Sequence, residues 1–366
     1  MNGLSQKRYL ELPLPTEDDP RSDQQRILDS LAAAGVEERV HIPVHILRQL
    51  YPLLDNAKWK ITVSLAWNGE NWEMVEIEEG DTTAQHYGLA VDLGSTTVVA
   101  RLLDCNSGEI LEEVSCFNKQ IQWGTDILSR IFYCKDNREK LEEVRRATVE
   151  SICECMDKLD ASHSALSMVI AGNTTMIHFL LGMDAFCVFY TPHAVHADCP
   201  GFQLARDLDI PLKGYVYCYP AKSNYLGGDI ISGMIDTELY KKNEISVFFD
   251  IGTNGELVIG NKEFLLCGAG AAGPALEGGV VRTGMRADIG AVDEVKIRDG
   301  NIYVHVIGSH KEDSGSHEKN SGNHEENSSG EEPRGICGSG IIDLIAELFL
   351  EGWIDIRGKL SPEKSP

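Results

Sequence analysis

The chain has 366 residues, with 33 Lys and Arg against 57 Asp and Glu, a formal charge of −24. That excess of acid argues against nucleic acid or an anionic membrane as a general partner, but not against a phosphate ligand, because backbone N–H groups and Mg²⁺ hold phosphate without a basic patch. Ten cysteines in this length do not make a disulfide scaffold, and no apolar run reaches membrane-spanning length, so a cytoplasmic protein with reduced thiols is expected.

The first 86 residues predict a small α+β region. Pro13, Pro15 and Pro20 punctuate its start. Residues 22–34 predict a helix with Ile27, Leu28 and Leu31 on one face and Gly35 as its stop. Residues 59–66 and 72–77 alternate apolar and polar side chains around Asn68-Gly69, a hairpin signal. Nothing in this region points to chemistry.

A different texture begins at Tyr87. Residues 87–104 read as two buried strands around the turn Asp92-Leu93-Gly94-Ser95-Thr96-Thr97, with a third strand over 109–115. Helical patterns fill much of 126–159, a buried strand covers 166–171, and a helix leaves it over 174–181. Residues 247–260 then repeat the strand, Gly/Thr turn, strand pattern, with a third strand expected over 261–267. Asp92 and Asp250 occupy matching places in the two units, each with Gly two residues later. Two such units predict mixed α/β lobes of duplicated topology. The first would cover residues 87–243 and the second 244–366. Residues 311–332 hold two Lys and seven Asp and Glu among Ser, Gly, Asn and His, which predicts a disordered acidic loop. Residues 341–349 predict an apolar helix.

Two turns carry the chemistry. Gly lets successive N–H groups face one anion, and Ser95, Thr96 and Thr97 add hydroxyls. Asp92 would repel phosphate unless it serves Mg²⁺, directly or through water. A single turn of this kind reads better as an ordinary hairpin with an exposed Asp. A second one, Asp250-Ile251-Gly252-Thr253-Asn254-Gly255-Glu256, turns the balance toward a phosphate clamp with one carboxylate from each lobe. Gly172, Asn173 and Thr174 stand at a strand-to-helix junction that would suit phosphate, although taken alone it reads better as simple helix capping by Asn173 or Thr174. Residues 268–274, with Gly278-Gly279, allow close approach of a flat ligand or of another segment. Cys153 and Cys155 lie in a helical pattern on diverging faces, and His193, His196 and Cys199 lie in a Pro-bounded loop; neither set makes a convincing metal site.

These turns resemble the phosphate motifs of the acetate/sugar kinase, heat-shock chaperone and actin superfamily, with Gly172 to Thr175 and residues 335–343 resembling its connecting motifs. The combination of residues 87–97, Asn118-Lys119-Gln120, residues 124–130, 172–176, 250–256, 272–278 and 284–287 resembles, within that superfamily, the ATP-dependent reductive activators of corrinoid iron–sulfur proteins. The resemblance implies a two-lobed actin-like (RNase H-like) α/β ATPase fold behind a small linker. It implies ATP and Mg²⁺ as cofactors, with Asp92 and Asp250 as catalytic and Mg²⁺-holding carboxylates. Gly94, Ser95, Thr96, Thr97, Gly172, Asn173, Thr174, Gly252, Thr253, Asn254 and Gly255 would bind the nucleotide. The implied activity is reduction of Co(II) to Co(I) in a corrinoid iron–sulfur or corrinoid methyl-transfer protein, driven by ATP and fed by a ferredoxin-type electron donor. The family's plant-type cysteine spacing has no counterpart here, so no iron–sulfur cluster is expected in this chain. No counterpart of the family's last Gly-Gly adenosine motif appears before Pro366, so an incomplete second lobe is expected, and with it association, for example as a homodimer. Two alternatives are a small-molecule kinase of the same superfamily and a non-catalytic partner-binding module.

Overall fold

The computed structural model describes residues 3–124, 126–160, 162–223, 226–251, 254–271, 281–298, 300–308 and 332–361. The expected acidic loop, residues 311–332, falls outside them except for Glu332, as do residues 272–280 of the glycine-rich stretch.

The first region contains β1 (Ser5–Glu11), α1 (Asp23–Ala33), β2 (Val40–His41), α2 (Val44–Leu47), α3 (Leu50–Asn56), β3 (Lys60–Trp67) and β4 (Trp72–Glu79). Its sheet runs β1-β3-β4-β2. The expected helix starts where Ser22 accepts from the Gln25 N–H at 3.2 Å. It buries Ile27 and Leu31 against Ile61, Val63, Leu65 and Met74 of the sheet. The expected hairpin is β3 and β4. Strand β1 was not anticipated from sequence. Its Ser5, Gln6 and Lys7 are polar yet buried, and Lys7 is satisfied by Glu78 at 2.7 Å.

The middle region follows with β5 (Tyr87–Leu93), β6 (Thr97–Asp104), β7 (Ile110–Phe117), α4 (Ile127–Cys134), α5 (Arg138–Lys158), β8 (Ala165–Ala171), α6 (Thr174–Leu180), β9 (Gly201–Leu204), β10 (Tyr215–Cys218) and α7 (Gly228–Thr237). The six strands lie in the order β7-β6-β5-β8-β10-β9. Strands β5, β8 and β10 are mutually parallel, and the outer pairings are antiparallel. Ile131, Val144, Ile152, Met156, Ile177 and Phe179 from the helices share one buried cluster with Leu89, Val91, Val98, Met168 and Ile170 from the sheet. Asp136, at φ 54°, and the Asn137 cap split the expected helical stretch into α4 and α5.

The first region is docked on this sheet by more than chain continuity. Ser5 Oγ lies 2.8 Å from His86 Nε2 and 3.2 Å from Ser167 Oγ, all buried. Ala66 and Val75 pack with Leu166 and Tyr215. A Cβ on Gly214 would come 2.1 Å from the Leu166 carbonyl oxygen and 2.8 Å from the Ala66 Cβ of the linker sheet, so only glycine lets the two sheets approach this closely.

Next come β11 (Ser246–Ile251), β12 (Asn254–Gly260) and β13 (Leu265–Ala271), a three-stranded sheet in that order. The third strand begins four residues later than expected. Asn261 instead closes a turn, its N–H donating to the Phe264 carbonyl at 2.9 Å and its side chain accepting from the Glu263 N–H at 2.9 Å. A last sheet, β15-β14-β16, is built from β14 (Ala291–Arg298), β15 (Asn301–Val306) and β16 (Gly335–Ile336). The expected apolar helix is α8 (Gly338–Leu350). It lies along β14, where Asp343 and Glu347 accept the N–H groups of Val295 at 3.4 Å and Ile297 at 3.0 Å. The chain separates into two compact units. One takes the residues up to Phe248 with Val258–Gly268; the other takes Phe249–Leu257 with the residues from Ala269 on. No helix among the described residues is long and apolar enough to cross a membrane.

Candidate functional site

Open α/β sheets bind ligands beyond the carboxyl ends of their parallel strands. In the first unit those ends belong to β5, β8 and β10. Asp92 stands opposite Ala171 in the β5–β8 register, so the Asp92 turn and the Gly172 junction leave the sheet side by side. A third segment joins them at the start of α7. The Gly228 N–H donates to the Gly172 carbonyl at 2.9 Å. A Cβ on Gly172 would lie 2.7 Å from the Leu93 carbonyl oxygen, and one on Gly227 would lie 2.4 Å from the Asn173 Cα. Real Cβ atoms do not tolerate such distances against backbone, so these glycines are what lets the three segments meet.

The Gly94–Thr97 turn is held from behind. Asn118 Nδ2 donates to the Gly94 carbonyl at 2.9 Å, Arg130 Nη1 to the Ser95 carbonyl at 2.7 Å, and the Asn118 N–H to the Thr96 carbonyl at 2.8 Å. In a trans peptide the carbonyl and the following N–H point in opposite directions. The N–H groups of Ser95, Thr96 and Thr97 are therefore turned away from the side on which Asn118 and Arg130 hold the carbonyls. Successive N–H groups aligned in this way are the ingredients of an anion-binding nest.

The donors behind the turn are themselves fixed. Asn118, Gln120 and Arg130 are all fully buried. Gln120 Oε1 accepts from Arg130 Nη1 at 3.0 Å, and Gln120 Nε2 donates to Thr148 Oγ1. Arg130 Nε donates to the Gly124 carbonyl at 3.0 Å. Burial pushes the Arg130 guanidinium down to about 10, with Asp126 opposing the shift. At neutral pH it still carries its charge. Sequence reading had given Asn118, Gln120 and Arg130 no role at the site. The contacts of Asn118 and Arg130 to the turn span 22 to 35 residues, so the segments 118–120 and 124–130, legible only as part of a resemblance, do not show by themselves what they hold.

The sequence-predicted residues fall as follows. Asp92, Thr96 and Thr97 are exposed, and Ser95 is buried. Gly172 is buried at the junction. Asn173 caps α6 by accepting from the Met176 N–H at 3.0 Å, and Thr174 Oγ1 donates to the Ser223 carbonyl at 2.6 Å. Both side chains thus have structural work, and the Gly172 backbone makes the closest approach to the Asp92 turn. Asp229, which sequence reading did not single out, follows Gly227 and Gly228 in the first turn of α7. In the other unit, Asp250 is half-buried on β11 and Gly255 lies on β12. Gly252, Thr253 and the Asn254 side chain lie outside the described residues.

Mg²⁺ takes oxygen ligands and keeps several waters, needing only one or two carboxylates beside phosphate oxygens. An exposed carboxylate at the end of β5, next to a turn that presents N–H groups, suits that requirement. Among the described residues no three His, Cys, Asp or Glu side chains group to hold a metal. His193 Nδ1 instead meets the Val188 carbonyl at 2.9 Å, and the His196 ring stands 6.1 Å from that of His178. Cys155 is buried with its Sγ 3.3 Å from Cys116 Sγ, and burial pushes its thiol up to about 12.

Residues 1–84 match the RACo linker region, residues 87–242 the RACo middle region, and residues 244–366 the C-terminal domain of RACo, the ASKHA domain. The chain is 33% identical over 281 residues to the corrinoid activation enzyme RamQ of Eubacterium limosum, a match covering 74% of this chain and 43% of that protein. It is 24% identical over 287 residues to the [Co(II) methylated amine-specific corrinoid protein] reductase of Methanosarcina barkeri, covering 75% of this chain and 53% of that one. A solved structure titled reductive activator for corrinoid, iron–sulfur protein superposes with a TM-score of 0.72 at 35% identity, covering 99% of this chain and 56% of that one. The chain spans about half the length of these relatives. With an actin-like C-terminal domain behind the middle and linker regions, it belongs to the RACo family of corrinoid activators.

Proposed function

We propose that this chain is the ATP-handling part of a reductive activator, in which hydrolysis of ATP is coupled to one-electron reduction of a corrinoid protein from Co(II) to Co(I). The observation that carries the reading is the Gly94–Thr97 turn, with its carbonyls tied back and Asp92 at its start, in a chain whose relatives are named for corrinoid activation. In this reading the N–H groups after Gly94 take phosphate oxygens, and the hydroxyls of Thr96 and Thr97 add donors. Gly172 and Gly227 keep the neighbouring backbone low enough to admit the ligand. Asp92 and Asp250 are the carboxylates that serve Mg²⁺, and Gly252, Thr253, Asn254 and Gly255 are the second set of phosphate-binding residues. Mg²⁺, when bound, would neutralise phosphate charge. The electron comes from a ferredoxin-type donor, and a corrinoid iron–sulfur or corrinoid methyl-transfer protein receives it.

The test is Mg-ATP turnover by the purified chain, with and without a corrinoid protein. Asp92→Ala and Asp250→Ala are each expected to lower turnover by roughly a hundredfold or more with circular dichroism unchanged. Undiminished turnover in either variant removes that carboxylate from the mechanism. Turnover that rises with an added sugar or carboxylate but not with a corrinoid protein replaces this reading with a small-molecule kinase.

A further inference from the structure

Of Asn118 and Arg130, which hold the carbonyls of the Asp92 turn, Arg130 carries charge. Its side chain is fully buried, and its hydrogen bonds go to the Ser95 carbonyl, the Gly124 carbonyl and Gln120 Oε1, none of them a carboxylate. Nη1 also lies 4.0 Å from Sδ of Met176 in α6, the helix that follows Gly172. Nη2 is buried and has no partner among the described residues. Asp126, the carboxylate that acts on Arg130 through space, is engaged by the Ser129 N–H at 2.8 Å and Ser129 Oγ at 2.7 Å.

A buried cation without an ion-pair partner is costly in a folded protein. Holding three carbonyl-type oxygens would not require a charge, since a neutral amide such as Asn118 already holds the Gly94 carbonyl. A planar fork that bonds the turn and also keeps positive charge behind it does require arginine. Because the Ser95 carbonyl is pulled toward the guanidinium, the adjoining N–H faces the other way, and an anion there would see an amide polarised by the cation behind it.

We propose that Arg130 is the positioning residue of the phosphate turn: it locks the Ser95 peptide so that the turn's N–H groups face the polyphosphate, and its charge is offset when that anion binds. This rests on the phosphate reading of the turn, and it adds the electrostatic element on the turn's hidden side.

The test is hydrogen exchange by mass spectrometry on the full 366-residue chain, with Mg-tripolyphosphate as the probe. Wild type is compared with Arg130→Lys, which keeps the charge without the fork, and Arg130→Gln, which keeps donors without the charge. In wild type, the probe is expected to slow exchange in peptides spanning residues 93–98. In both variants that protection is expected to disappear and affinity to fall roughly tenfold or more, with β8 and α5 exchanging as in wild type. If either variant keeps wild-type affinity, the proposal is overturned. It is equally overturned if protection falls across β8 and α5 together, the signature of a merely structural arginine. Should Arg130→Gln fail to fold, Arg130→Lys decides alone. Absence of any probe effect in wild type overturns the phosphate reading itself, and this proposal with it.

Discussion

Among the described residues two arginines are completely buried, and the regions that hold them treat them differently. In the linker, Arg26 of α1 meets the Asp19 carboxylate at 2.7 Å, and Arg21 also binds that carboxylate at 2.8 Å. The same guanidinium bonds the Pro13 carbonyl at 3.3 Å and the Asp19 carbonyl, tying the proline-punctuated start onto the helix. In the middle region, Arg130 has backbone carbonyls and an amide in place of a carboxylate. Both leave one nitrogen without a partner among the described residues, Nε in Arg26 and Nη2 in Arg130. The lesson lies in charge balance. A guanidinium used to build a fold is given its counter-ion locally, whereas one placed under a ligand turn can receive it from the ligand.

The largest effect that sharpens this contrast is the loss of Arg26. Arg26→Met is expected to lower unfolding free energy by about 3 kcal/mol in urea titrations, because the half-buried Asp19 carboxylate loses its buried partner and the proline-punctuated start loses its tie to α1. Mg-ATP turnover per folded molecule should not change. A matching fall in turnover would break the comparison by making the linker arginine functional. Next is Gly172→Ala, which forces a Cβ against the Leu93 carbonyl oxygen and should cost about 2 kcal/mol as well as weakening Mg-ATP binding. A smaller effect comes from pH. Burial holds the His86 imidazole below its ordinary value, and His178 likewise. The unfolded chain then binds protons that the folded chain refuses, so stability is full above about pH 6.5 and declines as pH falls below it. His86→Gln should flatten part of that decline in thermal melts taken from pH 7.5 to 5.5; an unchanged slope would assign it all elsewhere. The smallest effect is chemical. Cys155 and Cys218, both pushed up to about 12 by burial, should resist iodoacetamide at pH 8 until denaturant is added, while exposed Cys199 and Cys267 are labelled at once.

What could be read from the sequence was whatever is encoded over a few residues. Ser22 and Gly35 bound α1, Asn173 begins α6, apolar alternation gives β3 and β4, and apolar runs on either side of a Gly/Ser/Thr turn give β5 and β6. The Asp92 turn was legible because its glycine and hydroxyls are adjacent in the chain. Strand β1 was hidden because three of its buried side chains, Ser5, Gln6 and Lys7, are polar, Ser5 and Lys7 finding partners far away in Ser167 and Glu78. Helix α7 was hidden by the Gly227-Gly228 start, which in sequence resembles a loop and in space is the place where backbone meets Gly172. The support of the turn by Asn118 and Arg130 is likewise a matter of which surfaces meet after folding.

The docking of the linker also bears on how the protein is made. Ser5 leaves the ribosome 162 residues before Ser167, its buried partner on β8, and Ala66 and Val75 likewise precede Leu166. At about 5–20 residues per second Ser5 waits roughly 8–30 s for that partner, and Ala66 and Val75 roughly 5–20 s for theirs. The linker's own cluster around Ile27, Ile61, Val63 and Met74 can form meanwhile, but the face destined for β8 stays open to solvent and to chaperones until the middle of the chain has been synthesised.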